Sequence, residues 1–480
     1  RAILELKALQ RNTSLNQASK EQPGKTEKIS LFKRNLVFLF LSASFLISCG
    51  GGSSSSTPST EEPVAPPVIY PSHPYVWDVV TPESVGMNPG KLSQAFDYAM
   101  QDGSFTQAAL IIKDGNLIYE RYRGITDSEA NLLAASIGQD QNFFLNLFSS
   151  RDRDSLVTSW STSKSFVSFL IGIAVSNGTI SSINDSASIY INEWSADDRS
   201  SITIKNILDM KSGLVPICFD FLNNELAECS SGAAVSSGGN IVYSDDQLSK
   251  CINRSLAEGG VTHPWYLDGN TIYNRGDFKY SNCDTMVLGE IIFRASGQDI
   301  QTYAEYNLFS KIGISATWWK DFVSQGQSNG NLLAYCCLDS TSRDFAKFGH
   351  MLLLGGIWEG SIQNHNSYVE AIRELESYGL QFWTICARYT QNLDCDESII
   401  STIGLDGQYI MIDFNRNIVV VRNSLYQPIF NASQEMKMKL FPGDLSQSNW
   451  LATPPSGLGA NINTNFNPTE FYSLILDAIN

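Results

Sequence analysis

Histidine is scarce in this chain: His73, His263, His350 and His365 are the only four in 480 residues. No Gly-x-Ser-x-Gly elbow is present and none of the four has the context of a Ser-His-Asp triad, so that route to an activated serine has no support. No Cys-x-x-Cys pair or His-rich spacing suggests zinc, and no metal or other cofactor is expected. Basic residues are also short, 33 Lys and Arg against 49 Asp and Glu, for a net charge of −16. This balance argues against nucleic acid and anionic membrane surfaces as partners and suits neutral or cationic small molecules.

Long apolar runs are nearly absent too. The exception, Leu36–Ile47, has 12 residues, too few to span a bilayer, which takes about 20. Lys28, Lys33 and Arg34 precede it, the pattern of a secretory signal. The run ends in Leu46-Ile47-Ser48-Cys49-Gly50, which resembles the lipobox of bacterial lipoproteins. That resemblance implies cleavage before Cys49, lipid attachment there, and retention at the periplasmic face of a Gram-negative outer membrane. Residues 1–48 are then an upstream extension and signal, and 49–73 a Gly/Ser/Pro linker that leashes the folded part. Without the first 48 residues the chain keeps 25 basic and 46 acidic side chains.

Eight cysteines follow Cys49, in a compartment that permits disulfides. Cys386 and Cys395, and Cys218 and Cys229, are near enough in sequence to close short loops. Cys251, Cys283 and the adjacent Cys336-Cys337 remain, and the connectivity is not readable.

The folded domain is expected over 74–480. A helix around 92–101 precedes two apolar runs that flank Lys113-Asp114-Gly115-Asn116, a hairpin signal. Residues from about 151 to 310 are helix- and loop-rich, with 202–214 patterned as an amphipathic helix stopped at Gly213. A helix over 342–356 ends in paired glycines. Strands over QFWTICARY, QYIMID and NIVVVRN and a last helix, TEFYSLILDAIN, complete the chain. The fold class is therefore α/β (α+β). Its antiparallel sheet comes from about 74–150 and 311–480, flanked by helices from both chain ends, with a mainly α-helical region inserted.

Three short patterns carry chemistry. Ser161-x-x-Lys164 opens an apolar helix running to about Asn177, with Gly178 as its stop. One helical turn sets Lys164 behind Ser161, and a lysine whose pKa is lowered by burial can take the serine proton. The same four-residue pattern occurs at Ser30/Lys33, inside the expected signal, so alone it means little. Tyr280-Ser281-Asn282 precedes a second apolar helix, where Tyr can relay a proton and Asn can hold a lysine. A copy at Tyr190-Ile191-Asn192 sits in an unpatterned stretch. Gly404-Leu405-Asp406-Gly407-Gln408 leads into QYIMID, where glycine admits a close substrate approach.

In this order the three patterns resemble the serine β-lactamase and penicillin-binding superfamily. The likeness is to its class C-like branch, with its esterases and 6-aminohexanoate-dimer hydrolases, and covers most of 75–480. The resemblance implies a β-lactamase-like fold and an acyl-enzyme on Ser161. Lys164 would be the general base, Tyr280 the partner base and proton donor, and Asn282 the support of Lys164. The backbone N–H groups of Ser161 and Gln408 would form the oxyanion hole. Where the family usually has Lys or His, a small residue and Gly, this chain has Leu405-Asp406-Gly407. Read as a strand, that triplet points Leu405 and Gly407 into the pocket, with no cation to grip a β-lactam carboxylate. The expected substrate is a small neutral amide or ester, with the membrane touched only through the anchor. A D-amino-acid peptidase, carboxypeptidase or weak β-lactamase acting on cell-wall-type peptides, and a catalytically idle binding protein on the same scaffold, are the alternatives. His263, beside Pro264 and Trp265, is a further pocket candidate. His350 reads as structural, and Trp383 and Tyr409 read as core.

Overall fold

A computed structural model describes residues 76–137, 140–220, 225–228, 241, 244, 246–257, 261–262, 272–273, 275–321, 330–358, 366–388, 398–425 and 465–479. Cys49, His73, Cys229, His263, Trp265, His365 and Cys395 lie outside the described residues.

Helix α1 (Pro89–Ala99) starts on Asn88, whose side chain accepts from the Lys91 N–H, with proline in the first turn where its missing N–H costs nothing. Strands β1 (Thr106–Lys113) and β2 (Asn116–Tyr122) form the expected hairpin. Its loop residues Asp114 and Gly115 take φ of 51° and 82°, the left-handed pair that a two-residue hairpin turn requires. Next come β3 (Leu156–Thr158), α2 (Ser163–Ser176), α3 (Gln247–Ile252) and α4 (Asn282–Ser296). The chain returns through β4 (Ala316–Trp318), β5 (Leu338–Thr341), α5 (Ser342–Leu353), β6 (Tyr378–Gly379) and β7 (Phe382–Thr384). It finishes with β8 (Ile400–Gly404), β9 (Gln408–Asp413), β10 (Ile418–Ser424) and α6 (Pro468–Leu476).

Seven strands make one antiparallel sheet in the order β6-β7-β8-β9-β10-β1-β2. Both faces are covered, and the period-two alternation sorts the side chains between them. Leu110, Ile112, Ile410, Ile412, Val419 and Val421 enter the central core with α2, α4 and α5. Ala109, Ile111, Met411, Ile418 and Val420 pack against α1 and α6, where Phe96 meets Phe471 edge-on at 5.7 Å. A smaller sheet, β3-β5-β4, braces the entry to α2.

Two readings of the sequence change. The helix expected over 202–214 is only Ile204–Leu208. It stops because Met210 takes φ of 56° and Asp209 turns its carboxylate to the Leu380 N–H. QFWTICARY is a strand only as far as Thr384 and then a short helix, Ile385–Arg388. His350 sits edge-on to Trp77 and to Trp358, 5.6 Å from each, a packing position as expected.

Candidate active site

Ser161 lies in a single 3-10 turn, Trp160–Thr162, that feeds directly into α2. Twelve of the 14 residues of α2 are buried, so this helix is apolar all round and fixed in the core rather than amphipathic at a surface. Trp160 holds φ of 44°, a left-handed conformation that a bulky residue adopts only when its surroundings impose it. The turn is pinned from several sides. Thr162 Oγ1 bonds the Thr402 hydroxyl at 3.2 Å and donates to the Gln408 carbonyl at 3.3 Å.

Lys164 is 1% exposed. Its Nζ donates to Ser161 Oγ at 3.0 Å, to Asn282 Oδ1 at 2.8 Å and to the Tyr335 carbonyl at 2.7 Å. The rings of Tyr280 and Tyr335 flank it, with centroids 5.0 and 5.3 Å away. Burial pulls its pKa well below the ordinary lysine value, because the dry site penalises the ammonium form. The spacing read from the sequence thus becomes a contact between a serine hydroxyl and an amine biased toward its free-base form.

Tyr280 and Asn282 reach the site at the start of α4, which Ser281 caps by accepting from the Asp284 N–H. Three devices fix this entry. Met210 brackets Tyr280, its carbonyl accepting from the Lys279 N–H and its sulfur from the Ser281 N–H. A disulfide joins Cys251 on α3 to Cys283 on α4. Arg254 donates to Ser281 Oγ at 3.2 Å and to Asp284 Oδ1 at 2.8 Å, in an ion pair whose side chains are each 1% exposed. Replacing Asp284 with leucine leaves that guanidinium buried and unpaired. The expected cost is about 3–5 kcal/mol in denaturant unfolding, part of it recovered when Arg254 is changed to methionine as well. The second Tyr-x-Asn copy lies elsewhere, on 3-10 turns where the Tyr190 carbonyl accepts from Arg294.

The strand geometry expected for Leu405-Asp406-Gly407 is replaced by a turn. Gly404 pairs with Gln408 as the last rung of the β8–β9 hairpin, and the three residues between close it, with Asp406 and Gly407 at φ of 63° and 87°. Side chains in a turn do not alternate, so the placing of Leu405 and Gly407 on one pocket-facing side does not hold. On β8, the residues that meet the Trp160–Thr162 turn and its approach are Thr402, through its hydroxyl contact, and Gly404, where a Cβ would overlap the Ser159 carbonyl oxygen. Both are neutral, so the lack of a cation on this strand persists with different residues. Gln408 is buried, its side chain donating to the Ser424 carbonyl and accepting from Asn423 and the Ser424 N–H.

Several contributors escape a sequence reading. Arg422, 1% exposed, holds the turn by donating to the carbonyls of Asp406 and Gly407. The available signal was an arginine at the end of the apolar strand NIVVVRN. Tyr378 and Trp383, read as no more than core in the case of Trp383, form an aromatic wall with Phe278 beside Tyr280. Trp383 lies 4.5 Å from Tyr378, 5.8 Å from Tyr280 and 6.1 Å from Phe278. Phe278 is 39% exposed, so this apolar surface opens to solvent beside Tyr280.

The model of the family described as Beta-lactamase matches residues 92–428. The 6-aminohexanoate-dimer hydrolase of Paenarthrobacter ureafaciens is 25% identical over 280 residues, 55% of this chain and 64% of the relative. The chain therefore spans just under two thirds of that relative's length. Among solved structures, an octameric penicillin-binding protein homologue from Pyrococcus abyssi is 17% identical with a TM-score of 0.47. That alignment covers 70% of this chain and 73% of the homologue. A class C beta lactamase from Rhodobacter sphaeroides is 13% identical with a TM-score of 0.44, covering 69% and 93%.

Proposed function

The chain belongs to the beta-lactamase family of serine hydrolases, and from that premise we propose that it cleaves small neutral esters or amides through an acyl-enzyme on Ser161. The observation that carries this reading is the Lys164 amine, 3.0 Å from Ser161 Oγ and depressed in pKa by burial. In its free-base form Lys164 takes the hydroxyl proton as Oγ attacks the substrate carbonyl. Asn282 and the Tyr335 carbonyl hold the amine and stabilise the ammonium that forms. Tyr280 passes the proton to the leaving group, and the same groups activate the water that releases the acyl chain.

One oxyanion donor is the Ser161 N–H at the start of the helix pair, where the backbone dipoles favour negative charge. We place the second at the Leu405 N–H rather than at Gln408. Leu405 follows the glycine that packs so close to the Ser159 carbonyl that a Cβ would overlap it, and Leu405 is itself 36% exposed. The aromatic wall of Phe278, Tyr378 and Trp383 supplies apolar surface for an uncharged acyl or leaving group. Thr402 and Gly404 offer no cation to a substrate carboxylate. Short-chain p-nitrophenyl esters and linear amide dimers should turn over at least about 10²-fold faster in kcat/KM than a chromogenic cephalosporin, a gap on the scale of one lost charged contact in a dry site. Cephalosporin turnover matching the esters would overturn the substrate assignment.

A further inference from the structure

The segment Ala334–Leu338 wraps the nucleophile turn. Ser163 Oγ donates to the Ala334 carbonyl at 2.8 Å and Lys164 Nζ to the Tyr335 carbonyl at 2.7 Å. Ser159 exchanges two bonds with Leu338, both 2.9 Å: its N–H donates to the Leu338 carbonyl, and its Oγ accepts from the Leu338 N–H. Residues 159, 163 and 164, which bracket Ser161, are therefore all held by one short stretch of chain. At its centre a disulfide joins the adjacent residues Cys336 and Cys337. These cysteines are 2% and 0% exposed, and Cys337 takes φ of 64°. Around them the Cys336 N–H donates to the Leu333 carbonyl, the Cys337 carbonyl accepts from Trp319, and the Tyr335 hydroxyl donates to Gln247 Oε1.

A disulfide restrains the unfolded chain by an entropy that grows with the logarithm of the loop it closes, and one between neighbours closes no loop of intervening residues. Its effect must be local, on the single peptide it spans. We propose that the Cys336–Cys337 disulfide is a positioning element for catalysis: it fixes the backbone that presents the Tyr335 carbonyl to Lys164 and so keeps the amine aimed at Ser161. The proposal rests on the Ser161/Lys164 reading above. Reduction breaks the S–S bond and yields two thiols, the two electrons and two protons coming from an external dithiol that itself becomes a disulfide. Non-bonded sulfurs stand farther apart than bonded ones, and in so closed a site the segment must shift to seat them.

The groups facing the amine are the phenols of Tyr280 and Tyr335 and the Asn282 amide. Charged groups behind these are the Arg254–Asp284 pair, which holds Ser281, and Asp321, whose charge acts on the Tyr335 phenol. Losing a fixed carbonyl acceptor in this dry setting disfavours the ammonium form further. The acid limb of the acylation profile, where Lys164 loses its proton, then moves to lower pH.

The test compares the full chain, its Cys336→Ala/Cys337→Ala form and a Phe96→Leu comparator, which loosens the core between α1 and α6 on the other face of the sheet. Each is acylated with a fluorophosphonate across pH, with active sites titrated. The adjacent-cysteine variant should acylate about 10- to 100-fold more slowly per titrated site, the scale of a misplaced catalytic group, with its acid limb at lower pH. The comparator should lose thermal stability and keep its limb. Independently of any variant, dithiothreitol treatment of the wild type should slow acylation in step with alkylation of Cys336 and Cys337, and reoxidation should restore it. An unmoved or upward-shifted limb, or slowing that does not track these two thiols, overturns the proposal alone. A wild type that never acylates at Ser161 overturns it together with the hydrolase reading.

Discussion

Replacing Lys164 with methionine is expected to slow acylation of Ser161 by about 10³-fold, the middle of the range that a positioned general base contributes. The side chains are alike in length and methionine needs no solvation, so the buried volume is kept while the proton acceptor is lost. Asn282 Oδ1 and the Tyr335 carbonyl each lose a donor, but the cost of burying an amine disappears with them. The melting temperature should move by only a few degrees, roughly 1 kcal/mol in a domain this large. The pH profile separates this loss from a folding defect. Wild-type acylation should rise through the lowered pKa of Lys164 and level off well below the ordinary lysine value, whereas the residual rate of the variant should lack that limb. A variant that acylates within a few-fold of wild type would remove Lys164 from the mechanism.

Gly404→Ala is expected to act on the same serine from the opposite side, through sterics instead of proton transfer. A methyl group there overlaps the Ser159 carbonyl oxygen, a backbone atom that cannot rotate away. That carbonyl accepts from the Thr162 N–H and so closes the turn bearing Ser161. The hairpin and the nucleophile turn must separate, at a cost of about 1–3 kcal/mol, as for overpacking in a close-packed interior. A displacement on the order of 1 Å at the nucleophile can cost about 10²-fold in rate, so kcat should fall further than stability alone explains. Chemical denaturation and acylation kinetics on the same sample check both effects. An alanine variant with wild-type kcat would mean that β8 does not set the position of the serine.

What the sequence disclosed about this site follows from the kind of information each part needs. Ser161, Lys164 and Asn282 were legible because side-chain identity at helical spacing and an ordered set of patterns specify them, and the structure brings these three within hydrogen-bonding reach. The sheet between two helical layers was legible from strand alternation, and the β1–β2 hairpin from the residues of its turn. The Leu405–Gly407 turn does not follow from strand alternation, which presumes extended backbone, whereas Asp406 takes a positive φ and its carbonyl is held by Arg422 from the neighbouring strand β10. The third partner of Lys164 is a backbone carbonyl, an atom every residue carries, so nothing in the identity of Tyr335 announces it. The cysteine pairings likewise depend on which elements meet. Cys251 finds Cys283 only because α3 packs on α4, and Cys336 turns to its own neighbour.

The most direct test of the account is intact-mass and peptide mass spectrometry after brief exposure to a fluorophosphonate or a slowly deacylated p-nitrophenyl ester. A single adduct on Ser161, absent from Ser161→Ala and strongly reduced in Lys164→Met, is the result the arrangement of serine, amine and carbonyl predicts. An adduct on another residue, or a Ser161→Ala protein that hydrolyses the ester as fast as wild type, would contradict it.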